Sequence, residues 1–269
     1  MTWKPFHHPD LSLKVIRRQA SAALLDFLAE TGVVLMTRGR SLLWGQGFKI
    51  PTSYRMAMCR LRKQGLIAYR RAGGQPPVLQ VTAKGEEARE AAARPERLWQ
   101  RKWKGAWHLL SYDIPEKSRT YRDHLRWFLS TQRMGMLQHS LWISPDDIRA
   151  EFHDLAQAAA LDQYAFLFEA RNVLGRSDRE IVERAWPMER IAKLQGWYLS
   201  VYEENFNRLI ARPHAPAEVF ELGREEMSAY AAVMREDPLL PEALHPAAYR
   251  GPQVAELHRR MLRAIGERL

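Results

Sequence analysis

The sequence predicts an α+β protein in three parts, because three kinds of pattern follow one another along its 269 residues. A basic region with helical stripes and two short extended runs comes first. A region of alternating strands and helices follows, and long amphipathic helices end the chain. We expect these parts to be 1–95, 96–173 and 174–269. A chain of this length has room for several cores, since single cores stop growing at about 250 to 300 residues.

The first part is predicted to contain three helices around its central stretch. Leu13 to Ala29 repeats apolar residues at helical spacing, which indicates an amphipathic helix. Ser41 to Phe48 is expected to form a short scaffold helix and turn. Lys84 to Gln100 is rich in Ala, Glu and Arg and indicates a connecting helix, with Pro95 as a break.

The stretch from Pro51 to Thr82 organises this part. Hydroxyl side chains after Pro51 can cap a helix that carries one apolar face and ends at Gly65. Two extended runs, 66–71 and 78–82, follow around a turn rich in Gly and Pro. A short basic helix followed by a basic ribbon is typical of a winged helix-turn-helix, whose helix enters the major groove of DNA. The alternative is an amphipathic helix beside a hairpin with a solvated charged face.

The charge distribution favours a polyanionic partner. The net charge is +10, with 41 Lys and Arg against 31 Asp and Glu. Residues 1–104 hold 20 basic and 7 acidic residues, whereas residues 105–269 hold 21 and 24. A localised positive field binds nucleic acid through counterion release. An anionic membrane surface is a weaker alternative, because the basic residues lie on a predicted folded module.

The candidate DNA contacts lie on the predicted reading helix and ribbon. Arg binds guanine bidentately, whereas Ser, Thr and Lys more often hold phosphates. We therefore expect Arg55 to read a base. The whole candidate set is Thr52, Ser53, Arg55, Cys59, Arg60, Arg62, Lys63, Arg70, Arg71 and Gln75. For the ribbon residues, ordinary solvated strand positions are the alternative.

The central part alternates strands with helices. Strands are predicted at 107–113, at 135–143 and at 164–168, with helices at 119–130 and 147–160 between them. This order suggests a small α+β sandwich of the ferredoxin-like type. The third part is helical from Ser177 onward, with helices expected at 188–210, 218–235 and 252–267 and proline-rich connections between them.

Several classes of protein are disfavoured. The single cysteine, Cys59, excludes an intramolecular disulfide and a cysteine-rich zinc site. The start of the sequence lacks the apolar core of a signal peptide and no apolar run approaches about 18 residues, so a cytoplasmic location without membrane insertion is expected. No phosphate-binding Gly-rich loop, nucleophile-elbow serine or His-Glu-x-x-His pattern is present, which favours a binding protein over an enzyme and predicts no required cofactor.

Three stretches resemble one family. They are 55–66, with the reading helix and wing entry; 112–116 followed by 141–145 in the central part; and 237–241 followed by Leu244, Pro246 and Gly251. Together they resemble the PaaX family of bacterial transcriptional repressors over roughly Leu13 to Ile265. Tyr249 stands where that family usually shows Trp, and the wing carries Gly73-Gly74-Gln75-Pro76-Pro77 in place of an arginine- and tyrosine-rich form.

The resemblance implies a dimeric repressor of transcription. It would bind a palindromic double-stranded operator and be released by an aryl-coenzyme A thioester such as phenylacetyl-coenzyme A. Aromatic and basic residues of the second and third parts are the candidate effector contacts, although packing in an apolar core is the simpler role for the aromatic ones. They are Trp142, Arg184, Trp186, Arg190, Trp197 and Tyr198.

Two further functions stay open. The central part also resembles the CRISPR adaptation endoribonuclease family, in which an Asp after the first strand is associated with a divalent metal; Asp113 holds that position. An ordinary turn, in which Asp113 accepts backbone amides, is the alternative. A non-catalytic scaffold that binds a protein partner through its aromatic stripe is the third hypothesis.

Overall fold

The structure is a computed structural model and consists of α-helices and β-strands arranged in two compact units. It describes residues 3–4, 62–63, 65–70, 78–85, 95–114, 122–123, 125–126, 129–130, 132–149, 165–173 and 175–268. The helical unit is formed by Met1–Glu96, Lys193–Glu236 and Arg250–Leu269. The sheet unit is formed by Arg97–Ala192 and Asp237–Tyr249.

The helical unit contains a hairpin and long helices. Strands β1 (Ile67–Arg70) and β2 (Val78–Val81) pair antiparallel, as the two extended runs predict. The long helices are α3 (Met188–Ala211), of which this unit holds the part from Lys193 onward, α4 (Pro216–Glu236) and α5 (Gly251–Gly266). Their bounds agree with the predicted helices to within two residues at each end.

Apolar stripes at helical spacing form the core of this unit. Val219 of α4 and Val254 and Ile265 of α5 are fully buried. The side-chain oxygen of buried Gln195 in α3 accepts the Arg250 N–H at 2.7 Å, which satisfies a backbone donor at the start of α5. The predicted helix Leu13–Ala29 and scaffold helix Ser41–Phe48 lie outside the described residues. Of the predicted connecting helix 84–100, the structure describes a helical turn at 83–85 and α1 (Pro95–Gln100), which begins at the expected break.

The sheet unit is built on four antiparallel strands. They are β3 (Trp107–Tyr112), β4 (Gly135–Gln138), β5 (Leu141–Ser144) and β6 (Ala165–Ala170), in the spatial order β4-β5-β3-β6. Helical residues within 122–130 connect β3 to β4, and a helical residue at Arg149 follows β5. The fold is therefore α+β, as the sequence predicts.

The prediction of a single strand over 135–143 is wrong. The chain turns at His139 and Ser140, so this segment forms the β4–β5 hairpin with Met136 opposite Trp142. The polar run from Gln138 to Ser140 supplies the turn. Its backbone carbonyls are bonded, since the Tyr112 N–H donates to Ser140 O and the Tyr112 hydroxyl donates to His139 O, each at 3.0 Å.

The two faces of the sheet are covered differently. Leu110, Trp142 and Ala165 lie on one face and pack against Leu125 and Leu129 of the helical segment. Alternation along β3 places Trp107 on the other face. Helix α2 (Asp178–Ala185) lies there, begun by a capping box between Ser177 and Glu180. Its Asp178 carboxylate accepts the Trp107 indole N–H at 2.8 Å.

Gly135 lets α2 approach β4 closely. A Cβ at this position would lie 2.7 Å from the Ala185 Cβ and 2.7 Å from the Trp186 ring. We expect Gly135→Ala to lower the free energy of unfolding by about 1 to 3 kcal/mol, because the extra methyl overpacks this contact. Chemical denaturation followed by circular dichroism measures the change.

Gly196→Ala is the matched control. Gly196 lies inside α3, and a Cβ there meets no atom within 4 Å. The same substitution should be neutral or should stabilise the protein by about 0.5 to 1 kcal/mol, because Ala favours a helix interior over Gly. Equal effects of the two substitutions would contradict close packing at Gly135.

Candidate nucleic-acid interface

The β1–β2 hairpin follows directly on the end of a helix. Arg62 and Lys63 are helical, and Gly65, with a φ of 72°, accepts the left-handed conformation that stops the helix. The Gly65 N–H donates to Arg62 O at 3.0 Å. Ile67 pairs with Val81 at the start of the hairpin, and its side chain is buried. The hairpin is therefore packed against the protein at this end.

Thr82 links the helix end to the hairpin. Its hydroxyl donates to Gly65 O at 2.6 Å and accepts the Gly85 N–H at 3.0 Å, while its own N–H donates to Leu66 O at 3.0 Å. Gly85 is required for this approach, because a Cβ there would lie 2.1 Å from Leu66 O. The hairpin is thus held in a fixed position relative to the residues at the end of the helix.

The structure describes three of the ten predicted DNA contacts at least in part. Arg62 and Lys63 are exposed on the helix before Gly65, and the backbone of Arg70 ends β1. Exposed cations at the junction of a helix and a hairpin suit phosphate contacts. The remaining seven predicted contacts lie outside the described residues and stay predictions: Thr52, Ser53, Arg55, Cys59, Arg60, Arg71 and Gln75.

The predicted effector contacts fall in both units. In the sheet unit, Trp142 faces the apolar core and buried Trp186 donates its indole N–H to Arg133 O at 3.1 Å. Arg184 is exposed at the end of α2, and Arg190 is half-buried in α3. In the helical unit, Trp197 is exposed on α3 whereas Tyr198 is fully buried.

Tyr198 belongs to a buried polar cluster that the sequence-based prediction missed. Glu226 of α4 is fully buried, and its Oε1 accepts the Tyr198 hydroxyl and lies 2.7 Å from His258 Nδ1 of α5. The His258 ring stacks on Tyr230 at a centroid distance of 3.6 Å. Glu226 Oε2 has no hydrogen-bond partner within the described part of the chain. Burial and the Glu226 carboxylate raise the pKa of the Tyr198 hydroxyl.

A signal for this cluster exists in the sequence. Glu226 stands on the apolar stripe of α4 between Leu222 and Val233, and His258 stands on the apolar stripe of α5. A charged residue at a core position of an amphipathic helix requires a buried partner. This cluster ties α3, α4 and α5 together through side chains.

A second buried polar cluster lies in the sheet unit at the proline-rich connection. The Asp237 carboxylate accepts the Tyr249 hydroxyl with both oxygens at 2.8 Å and the Leu239 N–H at 2.8 Å. Arg133 donates to Asp237 O, and burial lowers the pKa of its guanidinium. Arg133 and Leu239 both adopt positive φ, at 60° and 49°. The hydrogen bonds of this cluster hold the backbone in place, so two residues with unfavourable backbone conformations are tolerated here.

Asp113 is exposed just after the end of β3. Within the residues that the structure describes, no group of three or more His, Cys, Asp or Glu side chains is placed to hold a metal ion. In that same portion, none of the helices has the length and apolarity to cross a bilayer.

Comparisons with known proteins agree with this architecture. The family model of the PaaX protein central Cas2-like domain matches residues 100–182, and that of the PaaX-like protein C-terminal domain matches residues 186–268. The transcriptional repressor PaaX of Escherichia coli (strain K12) is 30% identical over 227 residues, which are 81% of this chain and 69% of that protein. An uncharacterized protein from Mycobacterium tuberculosis has a similar fold, with a TM-score of 0.56, 19% identity, and coverage of 96% of this chain and 97% of that one.

These matches place the chain among α+β proteins that are related to a transcriptional repressor. The two family models together cover the four-stranded sheet, the long helices and the proline-rich connection from α4 to α5. The chain belongs to the PaaX family. Tyr249 supplies the hydroxyl that binds buried Asp237.

Tyr249→Phe tests the Asp237 cluster. Burial and the Asp237 carboxylate raise the pKa of the Tyr249 hydroxyl, so the folded state keeps this proton when the unfolded chain loses it. The contribution of this hydroxyl to the free energy of unfolding is complete below the pKa of tyrosine in the unfolded chain, about 10. It declines at higher pH by about 1.4 kcal/mol per pH unit. The variant loses about 1 to 3 kcal/mol at pH 8, because it removes a donor from a buried carboxylate.

Denaturant unfolding of both proteins at several values between pH 8 and pH 11 measures this difference. The gap in free energy of unfolding between wild type and variant should narrow as the pH rises above about 10. A gap that stays constant over this interval would show that the Tyr249 proton is not held by the fold.

Proposed function

We propose that this protein is a transcriptional repressor that binds double-stranded operator DNA through a winged helix-turn-helix within residues 1–95. Two observations support the proposal. The chain is 30% identical to a transcriptional repressor over 227 residues. Its positively charged N-terminal region also contains a hairpin that directly follows a helix end, and Thr82 bonds to both.

The junction at Gly65 is the observation that carries the mode of binding. A helix that presents Arg62 and Lys63 outward, followed at once by an antiparallel hairpin, matches the order of reading helix and wing. In this arrangement Arg55 and Arg62 face the major groove, while Lys63, Arg70 and Arg71 hold phosphates.

The rest of the chain is proposed to pair subunits and to respond to a ligand. Residues 96–173 form a ferredoxin-like domain, which the strand order β4-β5-β3-β6 supports. Residues 174–269 form a helical domain that helps to dimerise, and a homodimer matches a palindromic operator. The effector is an aryl-coenzyme A thioester, with the exposed Arg184 available for coenzyme A phosphates.

Operator binding is tested with the duplex upstream of the protein's own gene against a shuffled duplex, across a salt series. Arg55→Ala should weaken selective binding by about 1 to 3 kcal/mol, because a bidentate base contact is lost. Lys63→Ala should weaken binding to both duplexes equally and reduce the salt slope by about one. Fluorescence anisotropy measures both quantities, with and without phenylacetyl-coenzyme A.

Arg179→Ala is the control. Arg179 lies on the surface of α2 and forms an exposed ion pair with Glu183 at 2.9 Å, far from the predicted reading helix in the sequence. It should leave both affinities unchanged. Equal, steeply salt-dependent binding to the two duplexes would refute a sequence-specific repressor. Selective binding that ignores the thioester would refute the proposed effector alone.

A metal-dependent nuclease centred on Asp113 is the second candidate, favoured by the match to a Cas2-like domain and by the exposure of Asp113 after β3. A carboxylate suits magnesium. This hypothesis predicts magnesium-dependent cleavage that Asp113→Asn abolishes, measured on labelled RNA and DNA. Cleavage that persists in the variant would remove Asp113 from the mechanism.

A further inference from the structure

Trp3 and Lys4 are bound to the helical unit at the corner between α3 and α4. Trp3 is 8% exposed, and its indole N–H donates to the backbone carbonyl of Glu218 at 2.9 Å. Its ring lies against His214, with 4.6 Å between ring centroids. The Trp3 side chain is therefore held by both a hydrogen bond and a ring contact.

Asn205 binds the backbone of this segment with both ends of its side-chain amide. Its oxygen accepts the Lys4 N–H at 2.8 Å, and its nitrogen donates to Lys4 O at 2.9 Å. Asn205 is 1% exposed, so these two bonds are formed away from water. A buried amide that loses such partners incurs a large desolvation cost, which makes Asn205 specific for a peptide backbone that offers both an N–H and a carbonyl.

The Lys4 side chain adds a weaker contact. Its ammonium lies 2.8 Å from a carboxylate oxygen of Glu204, and both side chains are about 40% exposed. Glu204 also bonds Arg208 one turn along α3. An exposed pair of this kind contributes little. Recognition therefore depends on the Trp3 ring and on the backbone of Lys4.

We propose that the α3–α4 corner is a binding site for the chain's own Trp3–Lys4 segment, and that this anchor couples the N-terminal DNA-binding region to the C-terminal helices. The effect on DNA rests on the proposed repressor function. Trp3 and Lys4 precede the predicted reading helix in the sequence, so their bonds to α3 and α4 link this region to the C-terminal helices.

A double-mutant cycle on operator affinity tests the coupling. Trp3→Ala and Asn205→Leu remove the two sides of the anchor, and each should weaken operator binding by about five- to tenfold. The double variant should be no weaker than either single variant, because both abolish one interaction. Additive losses, or a loss with Trp3→Ala alone, would mean that Trp3 acts elsewhere and would overturn the proposal.

Lys4→Ala is the matched control. It removes the exposed pair with Glu204 but keeps both backbone bonds to Asn205, so operator affinity should change less than twofold. A loss as large as that of Trp3→Ala would show that charge, rather than the buried anchor, matters. Thermal unfolding of Trp3→Ala, which leaves every C-terminal side chain intact, separates anchoring from misfolding.

Hydrogen exchange tests the anchor independently of DNA. The Lys4 amide should exchange at least about tenfold more slowly than in an unstructured peptide, and Asn205→Leu should remove that protection. An unprotected Lys4 amide in the wild type would overturn the anchor even if operator binding is confirmed. Absent operator binding with a protected Lys4 would instead refute the repressor function alone.

Sedimentation of the wild type and Trp3→Ala identifies the chain that supplies the segment. An intramolecular anchor predicts the same oligomeric state for both proteins at every concentration. A shift of Trp3→Ala toward smaller species would show that the segment comes from a second copy, and would refute the intramolecular site.

Discussion

The burial of carboxylates is the constraint on which both units depend. A buried carboxylate is tolerated only when donors replace its water, and the described residues of each unit include one. In the sheet unit, Asp237 is bound by the Tyr249 hydroxyl and the Leu239 N–H, and these bonds fix a connection with a strained residue. In the helical unit, Glu226 is held by Tyr198 and His258 from two other helices. Such directional bonds add a geometric constraint to the apolar packing around them.

The regular elements were predictable because their patterns are local. The apolar stripes of α3, α4 and α5 gave the helix bounds nearly as observed, and alternation identified β3 and β6. The β4–β5 hairpin was not predicted, because both strands and their turn read as one extended run. Only the pairing of Met136 with Trp142 distinguishes a hairpin from a long strand, and pairing is not a local property.

The candidate nucleic-acid interface was predicted where its signals are local in the sequence and missed where its contacts join distant residues. Gly65 and the two extended runs specify a helix stop and a hairpin from neighbouring residues alone. Contacts such as that between Thr82 and Gly65, or between Asn205 and Lys4, join positions separated by 17 and 201 residues. No periodicity marks them. Glu226 and His258 were detectable as polar residues on apolar stripes, but their pairing across 32 positions was not.

The burial of Trp3 limits what the α3–α4 corner can accommodate. Trp3 lies beside the start of α4, next to the Glu218 carbonyl and the His214 ring that it contacts. A bulky or charged affinity tag placed directly before Trp3 is therefore expected to compete with Trp3 for the same corner. A preparation that carries such a tag differs at this corner from one that does not.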